Sequence, residues 1–195
     1  MRNYFINLFT IILLCSNNAW SFSIESEVAT YEDKKFNIDI SGSVSAPSEE
    51  IFFILSDYNN LSIISPKIIE SKIIRQEDGK KIVRSVIKDC VLFFCQEVIN
   101  TQITAEYKEN TSMKIYSKTL PEESNLKSGV IKWTLTEDGN KTKIDYHAEA
   151  EPEFKVPKII GQFFVKYYIS KEAKNLIENI ENLANKKMVD KVVNN

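Results

Sequence analysis

Residues Ile40–Ile74 read ISGSVSAPSEEIFFILSDYNNLSIISPKIIESKII. The stretch predicts a strand, an Ala46-Pro47 corner, a short helix, a break at Asp57-Tyr58, an aliphatic segment closed by Pro66, and a second strand. Pro47 suits the first turn of a helix, where its missing N–H costs nothing. Glu49 and Glu50 then sit at the positive end of the helix dipole. Ile51, Phe52, Ile54 and Leu55 form the apolar side. A chain that leaves a sheet, lays down a small helix and returns to the sheet can hold two layers apart, and the gap between them can become an interior pocket.

Strand patterns flank this stretch on both sides. Phe36, Ile38, Ile40, Gly42, Val44 and Ala46 alternate with Asn37, Asp39, Ser41 and Ser43, the signature of a half-buried strand. Beyond it, Ile68–Gln76 and Lys81–Lys88 flank an Asp78-Gly79 turn. Gln96–Tyr107, Met113–Thr119, Gly129–Glu137 and Lys141–Glu151 continue at hairpin spacing. Ile131, Trp133 and Leu135 share one face of their strand, as do Ile144, Tyr146, Ala148 and Ala150. One greasy and one wet face predict an antiparallel sheet covered on one side only.

After Pro152 and Pro157 the period changes to helical. From about Lys158 to Lys187, the positions Ile160, Phe163, Phe164, Tyr167, Tyr168, Ala173, Leu176, Ile177, Ile180, Leu183 and Ala184 form an apolar stripe. At 1.5 Å per residue such a helix is roughly 40 Å long, enough to cross a whole sheet. Its first half is apolar around more of its girth, which fits either a thicker core or the wall of a cavity. Residues 188–195 are expected to fray into a flexible tail.

The N-terminus has the form of a secretory leader. Arg2 precedes the apolar run Tyr4–Cys15, and Ala19-Trp20-Ser21 places small residues at −3 and −1. The expectation is a signal peptide over 1–21, cleaved before Phe22, and an exported, periplasmic, soluble domain over 22–187. The run is short of the ~20 apolar residues that span a bilayer. Leu14 stands where a lipoprotein signal before Cys15 needs a small residue. Without Arg2 the remainder carries 24 basic residues against 27 acids, a net of −3. That balance, with no basic and aromatic patch, argues against nucleic acid.

Cys90 and Cys95 are the two cysteines beyond the leader, and an oxidising compartment would join them. They would face each other across a hairpin closed by a four-residue loop, Val91-Leu92-Phe93-Phe94. A two-residue Leu-Phe turn is disfavoured because tight hairpin turns want positive φ. Four apolar residues at a tip are costly to leave in water. They either fold under the last helix, meet a partner, or make transient contact with a membrane.

Val44-Ser45-Ala46-Pro47-Ser48-Glu49-Glu50-Ile51-Phe52, Leu55-Ser56-Asp57-Tyr58, Pro66-Lys67-Ile68-Ile69-Glu70-Ser71 and the long helix after Pro157 together resemble the START-like (SRPBCC) superfamily, in particular its polyketide cyclase and coenzyme Q-binding branch. The resemblance spans about residues 36–185. It implies an α+β helix-grip fold: a curved antiparallel sheet of about six to seven strands, two short helices, and a long C-terminal helix. It also implies a hydrophobic ligand such as a lipid or isoprenoid, held between sheet and helix. Fold alone does not choose between carrier and enzyme.

Chemical motifs are sparse. His147, the only histidine, points to the wet face. Glu149, Glu151 and Glu153 extend the charge there. No phosphate-binding glycine loop, metal-ligand spacing or nucleophile triad appears, so neither cofactor nor metal is expected. Asp57 and Tyr58 are candidates for a pocket mouth, with Asp57 alternatively a helix cap. Arg84 shares parity with Ile82 and Val86 and would anchor an acidic head group if that face is inner; Val83, Ser85 and Ile87 are the competing inner set. The expected walls are Ile69, Ile73, Ile103, Ile115, Ile131, Trp133, Tyr146, Ile160, Phe163, Phe164 and Tyr167. A non-catalytic carrier or sensor is the leading expectation. The alternatives are a cyclase or dehydratase using Tyr146 with Arg84 to polarise a carbonyl, and an envelope adaptor with a filled interior.

Overall fold

The computed structural model describes residues 22–91, 94–156 and 162–193. Eight strands form one antiparallel sheet in the order β1-β2-β8-β7-β6-β5-β4-β3. They are β1 (Ser23–Glu32), β2 (Lys35–Val44), β3 (Ile68–Glu77), β4 (Lys80–Val91), β5 (Phe94–Glu109), β6 (Ser112–Thr119), β7 (Leu126–Asp138) and β8 (Lys141–Pro152). Helix α1 (Ser48–Ser56) and a 3-10 turn at Leu61–Ile63 connect β2 to β3, and α2 (Gln162–Val193) closes the fold. This is the expected helix-grip arrangement with one strand more than the six to seven read from the pattern.

The additional strand is β1. It pairs with β2 through a tight turn whose central residues, Asp33 and Lys34, both take positive φ, 50° and 68°. A primed turn demands that backbone, but glycine or asparagine ordinarily announces it. An Asp-Lys pair does not. The expected turn at Asp78-Gly79 has the same conformation, with φ of 47° and 74°.

The β2-to-β3 connection runs from an inner strand to the opposite rim, and the chain then meanders back until β8 lies beside β2. Everything between Val44 and Ile68 therefore crosses one face of the sheet. On that face lies the core: Ile38, Ile40, Val44, Ile51, Ile54, Leu135, Ile144, Ile177 and Ile180 are all buried in one cluster. Helix α2 joins it through Ala173, Ile177, Ile180 and Ala184, a stripe at helical spacing. The buried Glu181 carboxylate accepts the Ser45 N–H at 2.7 Å, and Asn179 donates to the Ile64 carbonyl at 3.2 Å. Both bonds tie α2 to the crossing segment. The helix also runs to Val193, past the expected end at Lys187 and through residues expected to fray. Among the described residues no helix is long and apolar enough to cross a membrane.

Close approaches explain two glycines. At Gly42 a side chain would run into both the Ser23 carbonyl and the Phe22 ring, so the missing Cβ makes room for them. At Gly129 it would meet Thr119 Oγ1 at 2.3 Å. Thr119 uses that space to donate to Asn100 Oδ1 at 2.9 Å.

Candidate ligand-binding cavity

A cavity of about 190 Å³ lies between the inner face of the sheet and the crossing segment. Its roof is Leu55, Tyr58, Leu61, Ile64 and Ile68, with Leu176 from α2. Ile115, Ile131, Trp133 and Tyr146 form one wall. Trp133 and Tyr146 are register partners on β7 and β8, with ring centres 4.3 Å apart. Burial pushes the Tyr146 phenol up to about 12, as expected for a group largely shielded from bulk water.

The β4–β6 side carries a polar row among the apolar Val83, Ile87 and Ile115. Ser85, Asn100, Gln102, Thr104 and Ser117 make up that row on β4, β5 and β6. Register brings them together: Ser85 faces Asn100, and Thr104 faces Ser117. Thr104 and Ser117 share a hydrogen bond of 2.8 Å, and Asn100 accepts from Thr119. Two buried atoms on the lining have no hydrogen-bond partner, the Tyr58 hydroxyl and Gln102 Nε2. These residues are only 5 % and 8 % exposed. Tyr58 is held neutral well above its ordinary range by burial, reinforced by the nearby Glu106 carboxylate. Glu106 is itself paired with Lys81 at 2.5 Å, and the Lys81 ammonium stands 5.0 Å from the centre of the Tyr58 ring.

Of the expected wall residues, the structure brings together Ile115, Ile131, Trp133 and Tyr146. It does not place the others there. On β3, bulges between Ile68 and Glu70 and between Ile73 and Arg75 break the strict alternation. Ile68 lines the cavity, while Ile69 is 54 % exposed and Ile73 is not part of the lining. Ile103 pairs with Ile82 on the face opposite to Gln102 and Thr104. Arg84 pairs with Thr101 on that same outer face, where its charge acts on the carboxylates of Glu70 and Glu123. The competing set Val83, Ser85 and Ile87 is the inner one. Tyr146 and Arg84 are thus on different sides of the sheet and cannot act on one carbonyl. Tyr167 is 66 % exposed. Ile160 and the side chains of Phe163 and Phe164 lie outside the described residues.

Tyr58, a candidate for the mouth, does line the cavity, while Asp57 stands at the C-terminus of α1 and accepts from the Asn60 amide at 3.0 Å. His147 is on the wet face, with Nδ1 2.7 Å from Asp39 Oδ1. Among the described residues no cluster of three or more His, Cys, Asp or Glu side chains could hold a metal ion.

Beside the cavity, four charged and polar groups join three segments. Lys67 Nζ lies 2.8 Å from Asp89 Oδ2 and 2.7 Å from Glu172 Oε2, and donates to the Tyr168 hydroxyl at 2.6 Å. Tyr168 in turn donates to Asp89 Oδ1 at 2.8 Å. Burial works against the Lys67 charge, but these partners outweigh it and hold the ammonium above its ordinary range. Next along β4, the Cys90–Cys95 disulfide is formed across a register pair with Cα atoms 3.9 Å apart. The ladder goes one pair further, to Val91 and Phe94, where a four-residue loop had been expected. The staple holds the strands together at that point, so pairing continues past it. Leu92 and Phe93 lie outside the described residues.

Residues 35–185 match the family described as polyketide cyclase / dehydrase and lipid transport. The chain belongs to that family. Solved structures agree on the START-like fold. A STAR-related lipid transfer protein from Xanthomonas axonopodis superposes with a TM-score of 0.60 at 11% identity, over 83% of this chain and 97% of that one. A START superfamily protein from Mycobacterium smegmatis gives 0.59 at 17% identity, covering 77% and 97%. The Zhui aromatase/cyclase from a Streptomyces species gives 0.56 at 12%, covering 79% and 96%. No curated protein matches the sequence. Likeness at these identities establishes the START-like fold, and lipid transfer proteins and cyclases stand side by side within it.

Proposed function

We propose that this START-like protein is an exported, non-catalytic carrier or sensor that takes a hydrophobic small molecule into the hollow under its helices. The observation that carries the proposal is the cavity itself, roofed by aliphatic side chains and Tyr58 and walled on one side by Ile115, Ile131, Trp133 and Tyr146. Apolar surface moved there from water contributes roughly 25 cal/mol per Å². The volume of about 190 Å³ is below the ~300–1,000 Å³ usual for ligand pockets. A lipid or isoprenoid, quinones among them, therefore requires the Asp57–Pro66 segment or the start of α2 to move outward. Lys67 joins those two parts, so it is the natural point of release.

Export is supported by the leader-like N-terminus and by a formed disulfide, which suits an oxidising compartment. A non-catalytic role is supported by the separation of Arg84 from Tyr146. The apolar sequence Val91-Leu92-Phe93-Phe94, just beyond the disulfide, is proposed as the point of transient membrane contact during transfer. Native mass spectrometry of protein purified from its own envelope, before and after delipidation, tests the main proposal. A bound species that is lost on delipidation and regained from lipid extract is the expected result. No bound species and no uptake would overturn it.

A further inference from the structure

Within the cavity a polar row of Ser85, Asn100, Gln102, Thr104 and Ser117 is set among apolar side chains, Val83, Ile87 and Ile115 of the same strands included, and such a row is unusual for a hollow that serves only as a hole in a core. Burying a donor with no acceptor costs more than replacing it with a hydrocarbon. Yet Gln102 Nε2 is buried on the lining without a partner, and the Tyr58 hydroxyl, also buried there, has only the Glu106 carboxylate beside it, which Lys81 already holds. They lie in neighbouring rows: the Lys81 ammonium stands over the Tyr58 ring, Lys81 pairs with Thr104, and Gln102 follows on the same strand face. The lining holds no charged side chain among the described residues. The adjacent Lys81 is already neutralised by Glu106.

We propose that the cavity selects an uncharged amphipathic molecule, whose hydroxyl or carbonyl oxygen is bound by Gln102 and Tyr58 while its hydrocarbon part packs on Ile115, Ile131 and Trp133. This presupposes that the hollow is a binding site at all. A carboxylate or phosphate is rejected because its charge would be stripped of water with no cation to meet it. A pure hydrocarbon is rejected because it seals the polar row off from water and offers it no hydrogen bond in return. An alcohol or ketone offers one. A carboxamide offers both a donor and an acceptor, so it meets either kind of oxygen. At about 30 Å³ each, a few waters would fit the same space, and a ligand must replace the hydrogen bonds they can offer.

Size sets the test molecules. An apolar cavity of about 150 Å³ accepts benzene, so a hollow of about 190 Å³ suits small aromatic probes of slightly larger size. Titration calorimetry of the full-length chain with benzyl alcohol, acetophenone, toluene and benzoate compares four head groups on one ring. Benzyl alcohol and acetophenone should bind, with toluene and benzoate at least roughly tenfold weaker. Gln102→Leu and Tyr58→Phe should each weaken the alcohol and the ketone by roughly five- to tenfold. Both variants should melt within a few degrees of the parent, since each exchanges one polar group on the hollow for a hydrocarbon of nearly the same shape. Tight binding of benzoate, equal binding of all four, or insensitivity to both substitutions would overturn the head-group assignment while leaving the cavity as a binding site. Failure of every probe, together with failure of uptake from lipid extract, would overturn both.

Discussion

Lys67 and Tyr168 meet at 2.6 Å, the ammonium donating to the phenol oxygen, and through Asp89 and Glu172 this contact ties the crossing segment to β4 and α2. Lys67→Met removes the cation and leaves two carboxylates facing each other. The group is only partly shielded, so the loss should be about 1–2 kcal/mol, or roughly 2–8 °C in melting temperature. Folded Lys67 has a raised pKa, so its contribution is complete below the ordinary value of 10.5 and disappears as pH climbs through the raised one. The melting difference should hold from pH 6 to 10 and shrink only in stronger alkali. Exchange of a bound fluorescent fatty alcohol, followed by stopped flow, should be faster in the variant.

Tyr146 makes the cavity a liability in alkali. Its neutral form is favoured by burial, with a folded pKa of about 12 against an ordinary 10.0. The unfolded chain ionises first, so stability is full below pH 10 and falls as pH rises towards 12. The gap corresponds to about 2–3 kcal/mol at most. Tyr146→Phe should flatten part of that decline, with Tyr58 responsible for more in the same direction. Urea midpoints at pH 9 and pH 11.5 for both proteins would check it, and equal slopes would refute the assignment.

Gly129→Ala puts a methyl 2.3 Å from Thr119 Oγ1 and displaces the hydroxyl from Asn100. The expected cost is about 1–3 kcal/mol. Thr119→Ala in the same chain should recover part of it, so that a double-mutant cycle shows coupling rather than additivity. Denaturant midpoints of the four proteins give the result.

Reduction of the Cys90–Cys95 bond should lower the melting temperature modestly without unfolding the sheet. Only a short loop is closed, so the loss should be at or below about 2 kcal/mol. Melting curves with and without dithiothreitol measure it, and the double serine variant should match the reduced protein.

If the hairpin tip touches membranes, Phe93→Ser with Phe94→Ser should abolish sedimentation with liposomes while leaving the circular dichroism spectrum intact. Unchanged co-sedimentation would remove the tip from the transfer mechanism.

The architecture was legible because its elements carry strong periods. Ile144, Tyr146 and Ala148 alternate cleanly, and the stripe through Ala173, Ile177 and Ile180 is helical. The cavity was legible only in part, for a physical reason. Choosing the inner face of β5 by hydrophobicity selects Ile103, yet Gln102 and Thr104 face inward. A polar strip placed inside a sheet inverts the very signal used to find the inside. The same inversion hid Asn100, whereas Ser117 shares its face with the correctly chosen Ile115. On β3 the bulges shifted Ile68 into the position that alternation assigns to Ile69. Leu176 was visible in the helical stripe, but nothing marked it as facing a void.

Those bulges have a further consequence. The sheet is open, with β1 and β3 at its two rims, and an open rim is a template on which a foreign chain can lay another strand. Both rims are interrupted, β1 between Ile24 and Ser26 and β3 at two places. Glu70, Lys72, Arg75 and Glu77 add charge along the second. A molecule sliding alongside finds neither a regular run of amides nor a neutral surface, and fibril growth from either side is disfavoured.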